Sequence, residues 1–282
     1  IAAALVSPYA TSAGVRAVTP IPARSAEHTR MANILDDEGV TSLTAGQRTG
    51  NEPLRYFESA VGSMPGAGGR PARMMEQQGE QFSEAALRRV GEPGQRATPE
   101  VIDSAFNRIG GEFDRLTTNN QMVITPQLHG DLMAVHGQYM QLVPQSQQAP
   151  IVANLITDIN QAGRHRIIDG DVYQAFRSRI DRAARGAQAD PQLQDALFGI
   201  RNALDDAMER SLTPADAQAW RTARREYRNL MVLERAMAGA GERTAEGLVS
   251  PQQLRGAAVA QNRRDYVRGG GDFADLARAG EA

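Results

Sequence analysis

The stretch whose residue types come nearest to a known chemical motif is LTAGQRTGNEPLRYFES, which runs from Leu43 to Ser59. Its glycines, Gly46 and Gly50, bracket a basic residue and a hydroxyl, as in a phosphate-binding loop. That loop also needs a preceding strand, a wider glycine spacing, and Lys followed by Ser or Thr after the second glycine. Here Asn and Glu follow, and the chain has no lysine. We therefore predict a tight turn with Gly50 in the left-handed conformation, not a nucleotide site.

Glu58 suggests a second chemistry, in which a carboxyl group in an apolar pocket acts as the general acid of glycoside cleavage. Phe57-Glu58-Ser59, with Gly66-Ala67-Gly68 and Met74-Met75-Glu76-Gln77 further along, loosely resembles the lytic transglycosylases of phages and bacteria. Their Gly-Leu-Met-Gln order is missing, and a Gly/Pro-rich loop fills the intervening stretch. A cell-wall lytic domain therefore stays an alternative, and a solvated helix position for Glu58 is the favoured interpretation.

Metal binding and nucleophilic catalysis find little support among the residues. The chain has no cysteine and four histidines, which are His28, His129, His136 and His165. His129 and His136 share a predicted helix face, but seven residues separate them by about 10 Å along the axis, too far for one ion. No serine lies in a Gly-x-Ser-x-Gly elbow. We predict no catalytic residue, no metal site and no cofactor.

Arginines interleaved with aromatic residues are the remaining polar feature. They lie around Trp220, Tyr227 and Tyr266, and they are Arg221, Arg224, Arg225, Arg228, Arg263, Arg264 and Arg268. Such a pattern could hold phosphates and stack on bases. Acidic residues lie among these arginines, so salt bridges within a helix or between subunits explain the pattern equally well. We favour structural pairing and keep non-specific DNA contact open.

The amino-acid composition limits the fold class and the functions that this chain can have. The 282-residue chain has a net charge of −2 and only 5% aromatic residues, and all 31 of its basic residues are arginine. This composition suits packed helices better than a large β core, and it gives no global attraction to nucleic acid. The lack of cysteine excludes disulfides, and no apolar run reaches the roughly 18 residues that cross a bilayer. Because the chain begins without Met, we expect it to be processed or to be part of something longer.

Helix starts recur along the chain, each as a capping residue followed by proline. The five pairs are Thr98-Pro99, Thr125-Pro126, Asp190-Pro191, Thr213-Pro214 and Ser250-Pro251. Between them, apolar residues recur at helical spacing. We predict an all-α fold: a bundle of amphipathic helices at residues 96–240, an extended, Gly/Pro-punctuated helical arm at 1–95, and a loose helical segment at 241–282 that continues in a longer chain.

Shorter elements complete this prediction. In the arm we predict helices at residues 24–38, 53–61 and 71–90. In the C-terminal segment we predict helices at 251–267 and 272–279, and residues 121–124 are the one stretch that could pair as a strand.

The segment from Leu43 to Gly50, followed by Leu54-Arg55-Tyr56-Phe57-Glu58, resembles part of the large internal virion proteins of tailed phages and prophages. These are described as ejection, pilot or DNA-transfer proteins. The resemblance implies a long, mostly helical protein that is packed in the virion interior and leaves with the genome. It would then form a channel or lining across the host envelope or periplasm.

The resemblance also implies partners. We expect a homo-oligomer, as a ring or tube, that contacts other virion proteins such as the portal, the tail or other ejection proteins. Membrane contact would run only through segments outside this chain. In the predicted helix at 53–61, Leu54, Phe57 and Val61 need an apolar partner, which we expect to be a neighbouring subunit. A tape-measure, connector or scaffold-like helical protein is the remaining structural alternative.

Overall fold

The computed structural model describes residues 22–50, 69–238 and 246–281, which are called the described ranges below. They are about 77% helical, with a sheet of only two short strands, so the predicted all-α fold is confirmed. The helices are α1 (Pro22–Asp37), α2 (Ala45–Thr49), α3 (Gly69–Arg88), α4 (Pro99–Thr118), α5 (Pro126–Leu142), α6 (Pro150–Ala162), α7 (Gly170–Gly186), α8 (Pro191–Ser211), α9 (Pro214–Met237), α10 (Pro251–Gln261), α11 (Arg263–Val267) and α12 (Ala274–Glu281).

Proline marks the first residue of each helix that the capping pairs predict. The side chain of Thr125 accepts a hydrogen bond from the Leu128 amide, and that of Asp190 accepts one from the Leu193 amide. Ser250 forms a reciprocal capping box with Gln253. These bonds satisfy amides that have no partner inside the helix, which explains why the chain turns helical at these points.

The predicted helix at 251–267 is two helices in the structure, and Asn262 separates them. Asn262 has an extended backbone, and its side chain accepts a hydrogen bond from the Asp265 amide. It is therefore the N-cap of α11, because a short polar side chain competes for backbone amides and starts a new helix.

Two three-residue strands, β1 (Gln121–Val123) and β2 (Ile167–Asp169), pair antiparallel. Met122 lies opposite Ile168, and both are buried. The outward face carries Val123 opposite Ile167, and both of these are exposed. The predicted strand at residues 121–124 is thus present as β1, and its partner β2 lies more than 40 residues further along the chain.

The chain divides into two compact units. Unit 1 comprises Ile1–Asn107 and Arg225–Ala282, and unit 2 comprises Arg108–Arg224. In unit 2, α8 packs against α5 and α7, and it buries Leu197, Ile200 and Leu204. Trp220 is fully buried there, and its ring lies edge-on to Phe113 with 5.1 Å between centroids.

In unit 1, the described residues of the predicted arm pack with the described residues of the predicted C-terminal segment. Helix α1 contacts α2 and α12, and α12 contacts α10. The Val249 amide donates to the Ser83 hydroxyl in a buried bond of 2.8 Å. This division differs from the three predicted segments, because the apolar face of α3 with Phe82 and Leu87 is buried. An extended arm would leave that face in water.

Candidate functional site

The segment from Leu43 to Gly50 contains the short helix α2 of unit 1, and we call this segment the α2 joint. Thr44 caps α2, and its side chain and that of Gln47 form a reciprocal capping box. Gly50 ends α2 with a φ of 64°, so its predicted left-handed conformation is confirmed. The sequence predicted a tight turn, whereas the structure has one helical turn that closes at this glycine.

Glutamines of α3 hold this joint in place. The Gln81 side-chain oxygen accepts from the amides of Thr41 and Ser42, each at 3.1 Å. The Gln78 amide group donates to the side-chain oxygen of Gln47 at 2.9 Å. A side-chain amide can satisfy several backbone groups at once, so these two residues fix the course of the chain from 41 to 47.

Arg48, the cation that made the segment resemble a phosphate loop, is paired within the chain. Its guanidinium donates two hydrogen bonds to the carboxylate of Asp36, at 2.5 and 2.8 Å, and one to the Thr41 carbonyl. The hydrogen bond that Arg48 donates to Asp36 raises the pKa of Arg48, although burial acts against it. Because the Arg48 guanidinium already binds a carboxylate through two hydrogen bonds, it is not available to bind a phosphate.

An apolar cavity of about 210 Å³ lies beside α2. Residues of α1, of α3, of the chain between them and of the stretch before α10 form its apolar wall. This wall includes Leu35, Val40, Leu43, Met75, Phe82 and Leu248. The proposed docking residues Leu54, Phe57 and Val61, and also Glu58, lie outside the described ranges. Their predicted roles therefore remain predictions.

The structure divides the predicted arginine cluster. In unit 2, Arg221 pairs with Glu209 at 3.1 Å. Arg224 pairs with Asp206 at 2.6 Å and lies 3.5 Å from Glu209. Burial lowers the pKa of Arg224, but these carboxylates together with Asp205 raise it by more. Both arginines therefore have carboxylate partners on α8.

Five other arginines of the cluster lie in unit 1. Arg225 and Arg228 lie one turn apart on α9. Arg263, Arg264 and Arg268 lie on or directly after α11, and their side chains are exposed. Within the described ranges, none of the five makes an ion pair.

Arg225 and Arg228 line a trough made of two adjoining cavities of about 510 and 490 Å³, which share Asn229, Gly271 and Asp272. We call it the α9 trough. Its fixed polar groups are already bonded, since the Asn229 side chain donates to the Arg89 carbonyl at 2.8 Å and to Asp272 at 2.9 Å. Arg88 and Arg89 also line the trough, but they pair with Glu84 and Glu38. The cations left for an anionic ligand are therefore Arg225 and Arg228.

The α9 trough also has an acidic and an aromatic wall. Asp265 and Asp275 line it, and Asp275 pairs with Arg89 at 2.8 Å. The buried hydroxyl of Tyr266, another wall residue, has no hydrogen-bond partner in the described ranges. This mixture of signs suits a weak contact with phosphates or carboxylates better than a selective anion site.

Unit 2 contains a buried charged centre that the sequence did not predict. Asp205 on α8 is 3% exposed and accepts a hydrogen bond of 2.5 Å from the hydroxyl of Tyr173. The Arg177 guanidinium lies 3.3 Å from the same carboxylate, and Arg224 lies 3.8 Å away. Burial, with help from the Asp205 carboxylate, raises the pKa of Tyr173 well above its usual value.

The buried Asp205 carboxylate has a hydrogen-bond donor and two cationic partners among the described residues. The tyrosine is held neutral and the carboxylate faces two cations, so this Asp205 centre links α7, α8 and α9 as a buried ion pair. The sequence signal was weak, because Asp205 adjoins Leu204 of the apolar stripe in a helix where acidic residues normally face water.

The described ranges contain no group of three His, Asp or Glu side chains that could hold a metal ion. Where the helices are described, none combines the length and hydropathy needed to span a bilayer. His28 packs so closely on Gly50 that an added Cβ there would overlap its imidazole.

No protein-family model, curated protein or solved structure matches the chain. The resemblance of residues 43–58 to internal virion proteins therefore stays a prediction.

Proposed function

We propose that this chain is a structural protein from the interior of a tailed-phage virion, which self-associates and helps conduct the genome through the host envelope. The observation that carries the proposal is the segment Leu43–Glu58, which resembles internal virion proteins. Its described part is a capped joint held by Gln78 and Gln81, with Arg48 committed to Asp36. Side chains used in this way support an architectural role for the segment.

The fold is compatible with release from a capsid. The chain has no cysteine, so no disulfide must be reduced before it unfolds or rearranges. Its described helices are mostly joined by short connections, with left-handed glycines at positions such as Gly39, Gly91 and Gly247. Separately capped helices of this kind can form again after passage, because each helix start is encoded locally.

The charge distribution is compatible with weak contact to the genome. A net charge of −2 opposes permanent capture by packaged DNA. In the α9 trough, Arg225 and Arg228 are two cations that make no ion pair in the described ranges. We assign non-specific phosphate contact to them and structural pairing to Arg221 and Arg224.

Quantitative mass spectrometry of virus particles before and after genome release tests this proposal. We expect peptides of this chain in full particles and their loss, relative to the major capsid protein, from particles that have released their DNA. Retention at full stoichiometry would instead point to a connector-like protein. Absence from full particles would overturn the proposal altogether.

The proposal assigns no catalysis to the chain, and zymography on peptidoglycan checks this. We expect no cleared zone from the wild-type chain or from Glu58→Gln. Clearing by the wild type that Glu58→Gln abolishes would replace the structural function with a lytic one.

A further inference from the structure

The outward face of α5, in unit 2, is unlike that of a solvated helix. Leu128, Leu132 and Tyr139 are buried beneath it, yet Met133 and Met140 are each 46% exposed on other sides of the helix. The helix has 17 residues, and its one formally charged residue, Asp131, lies 3.6 Å from Arg210. A helix with apolar groups on both sides and almost no charge is expected to be covered on both sides.

Met133 and Met140 alternate with glycines along one stripe. The spacing from Gly130 to Met133, Gly137 and Met140 follows a helical repeat, so all four residues lie within one face. A Cβ built at Gly130 or Gly137 meets nothing within 4 Å. Each glycine therefore leaves an open recess beside a projecting methionine, and we call these four residues the Met/Gly stripe.

The Met/Gly stripe is complementary to itself in one orientation. If a second α5 runs antiparallel, with a two-fold axis that crosses the stripe at the level of residue 135, Met133 of one copy lies opposite Gly137 of the other. The same axis places Met140 opposite Gly130, since both pairs are symmetric about residue 135. A parallel arrangement in register would instead set Met on Met and Gly on Gly. Two-fold symmetry thus fills all four recesses with one kind of contact.

We propose that α5 pairs antiparallel with α5 of a second copy of this chain, with each methionine in a glycine recess of its partner. The stripe contains no charged residue, so two copies meet there without like-charge repulsion. On α5 itself, the imidazoles of His129 and His136 lie beside the stripe. This inference rests on the self-association in the proposed function and names the surface that mediates it.

The rest of unit 2 holds the stripe in position. Val135 packs against α8 at Gly199, where an added Cβ would lie 3.0 Å from a Val135 methyl. Helices α5 and α8 are in extensive contact. A close helix pair of this kind presents the opposite face of α5 as a firm surface, which limits the ordering cost of association.

Disulfide trapping tests the register, because the natural chain has no cysteine to interfere. Met133→Cys and Gly137→Cys chains are purified separately, reduced, mixed and oxidised. We expect the mixed disulfide to exceed either homodimer at least about fivefold, since facing positions in the pair come within disulfide reach. Leu142→Cys mixed with Gly137→Cys is the control, because Leu142 is exposed but lies off the stripe. Equal or dominant homodimers, or no dimer, would overturn the register.

Gly137→Leu tests the recess without harming the monomer. Its side chain has free space in the single chain, and replacing a helical glycine favours the helix. We expect sedimentation velocity to show a dimer dissociation constant raised at least about tenfold, while the thermal midpoint stays equal or rises. Leu142→Ala, on the same helix, is expected to leave the dimer unchanged.

The outcomes separate this inference from the proposed function. If the wild-type chain associates and Gly137→Leu associates equally well, the α5 pairing is overturned while self-association stands. If the wild type is monomeric throughout, the pairing is overturned and the release of the chain with the genome is still decided by particle mass spectrometry.

Discussion

Arginine side chains in this protein have separate roles that depend on their neighbours. Arg224 is 16% exposed and faces three carboxylates, while Arg225, the next residue, points to the solvent-exposed α9 trough. Adjacent residues on a helix project about 100° apart, so one is drawn into the Asp205 centre and the other is left free. Removing each charge should therefore have a different consequence.

Arg225→Gln with Arg228→Gln should weaken non-specific DNA binding and lower the slope of its salt dependence by about 2, since two phosphate contacts are lost. Fluorescence anisotropy with a DNA duplex over a salt series measures both. The matched control is Arg182→Gln with Arg185→Gln, which removes the same charge from exposed arginines of α7 that make no ion pair in the described ranges. An equal loss in both double variants would show that only net charge matters.

Tyr173→Phe should lower the free energy of unfolding by about 1–2 kcal/mol at pH 7, because the buried Asp205 carboxylate loses a donor. The raised pKa of Tyr173 means that the fold favours the neutral phenol. Its contribution is therefore complete below the ordinary tyrosine pKa of about 10 and declines as the pH rises above it.

Urea denaturation of the wild type and Tyr173→Phe at pH 7 and above pH 10 measures this contribution. The difference between the two proteins should shrink at the higher pH. A difference that is absent at pH 7 would mean that Asp205 needs only its arginine partners.

Among the elements, α7 depends on a close approach at its first residue. A Cβ at Gly170 would overlap the carbonyl oxygen of Thr117 at the end of α4. Gly186, the last residue of α7, has nothing within 4 Å of an added Cβ. The two glycines of one helix therefore have opposite steric surroundings.

Gly170→Ala should destabilise unit 2 by about 1–3 kcal/mol, because backbone atoms must move to admit the methyl group. Gly186→Ala should be neutral or stabilise by up to about 1 kcal/mol, since alanine is the better helix former. Thermal unfolding followed by circular dichroism distinguishes them. An equal change in stability for both variants would contradict a close backbone approach at Gly170.

At the scale of the whole molecule, unit 1 is assembled from both ends of the chain, whereas unit 2 is one continuous stretch from Arg108 to Arg224. A continuous unit with its own buried core can fold without the rest of the chain. Trp220 is the single tryptophan, and it is buried in unit 2. Its fluorescence is thus a probe of that unit.

A fragment of residues 98–238, which keeps α4 and α9 whole, should fold cooperatively and show the short-wavelength emission of a buried tryptophan. A fragment of residues 1–107 should not fold cooperatively, because its partners at 246–281 are missing. Emission from the first fragment that matches tryptophan in water would contradict the independence of unit 2.

The sequence alone determined most of the helix starts. Capping residues before Pro99, Pro126, Pro191, Pro214 and Pro251 predicted where these helices begin, and apolar spacing predicted which faces are buried. These signals are local: a cap bonds to an amide three residues away, and a stripe needs only the helical period. The left-handed Gly50 was predictable for the same reason.

Only the tertiary structure decided which partners those helices have. The burial of Asp205 beneath Tyr173, the different surroundings of Arg224 and Arg225, and the joining of α3 to the chain after residue 246 all involve residues far apart in sequence. The exposure of Met133 and Met140 belongs here too, since α5 reads as apolar on several sides. Local patterns encode backbone hydrogen bonding, whereas the choice of partners depends on packing the whole chain around its cores.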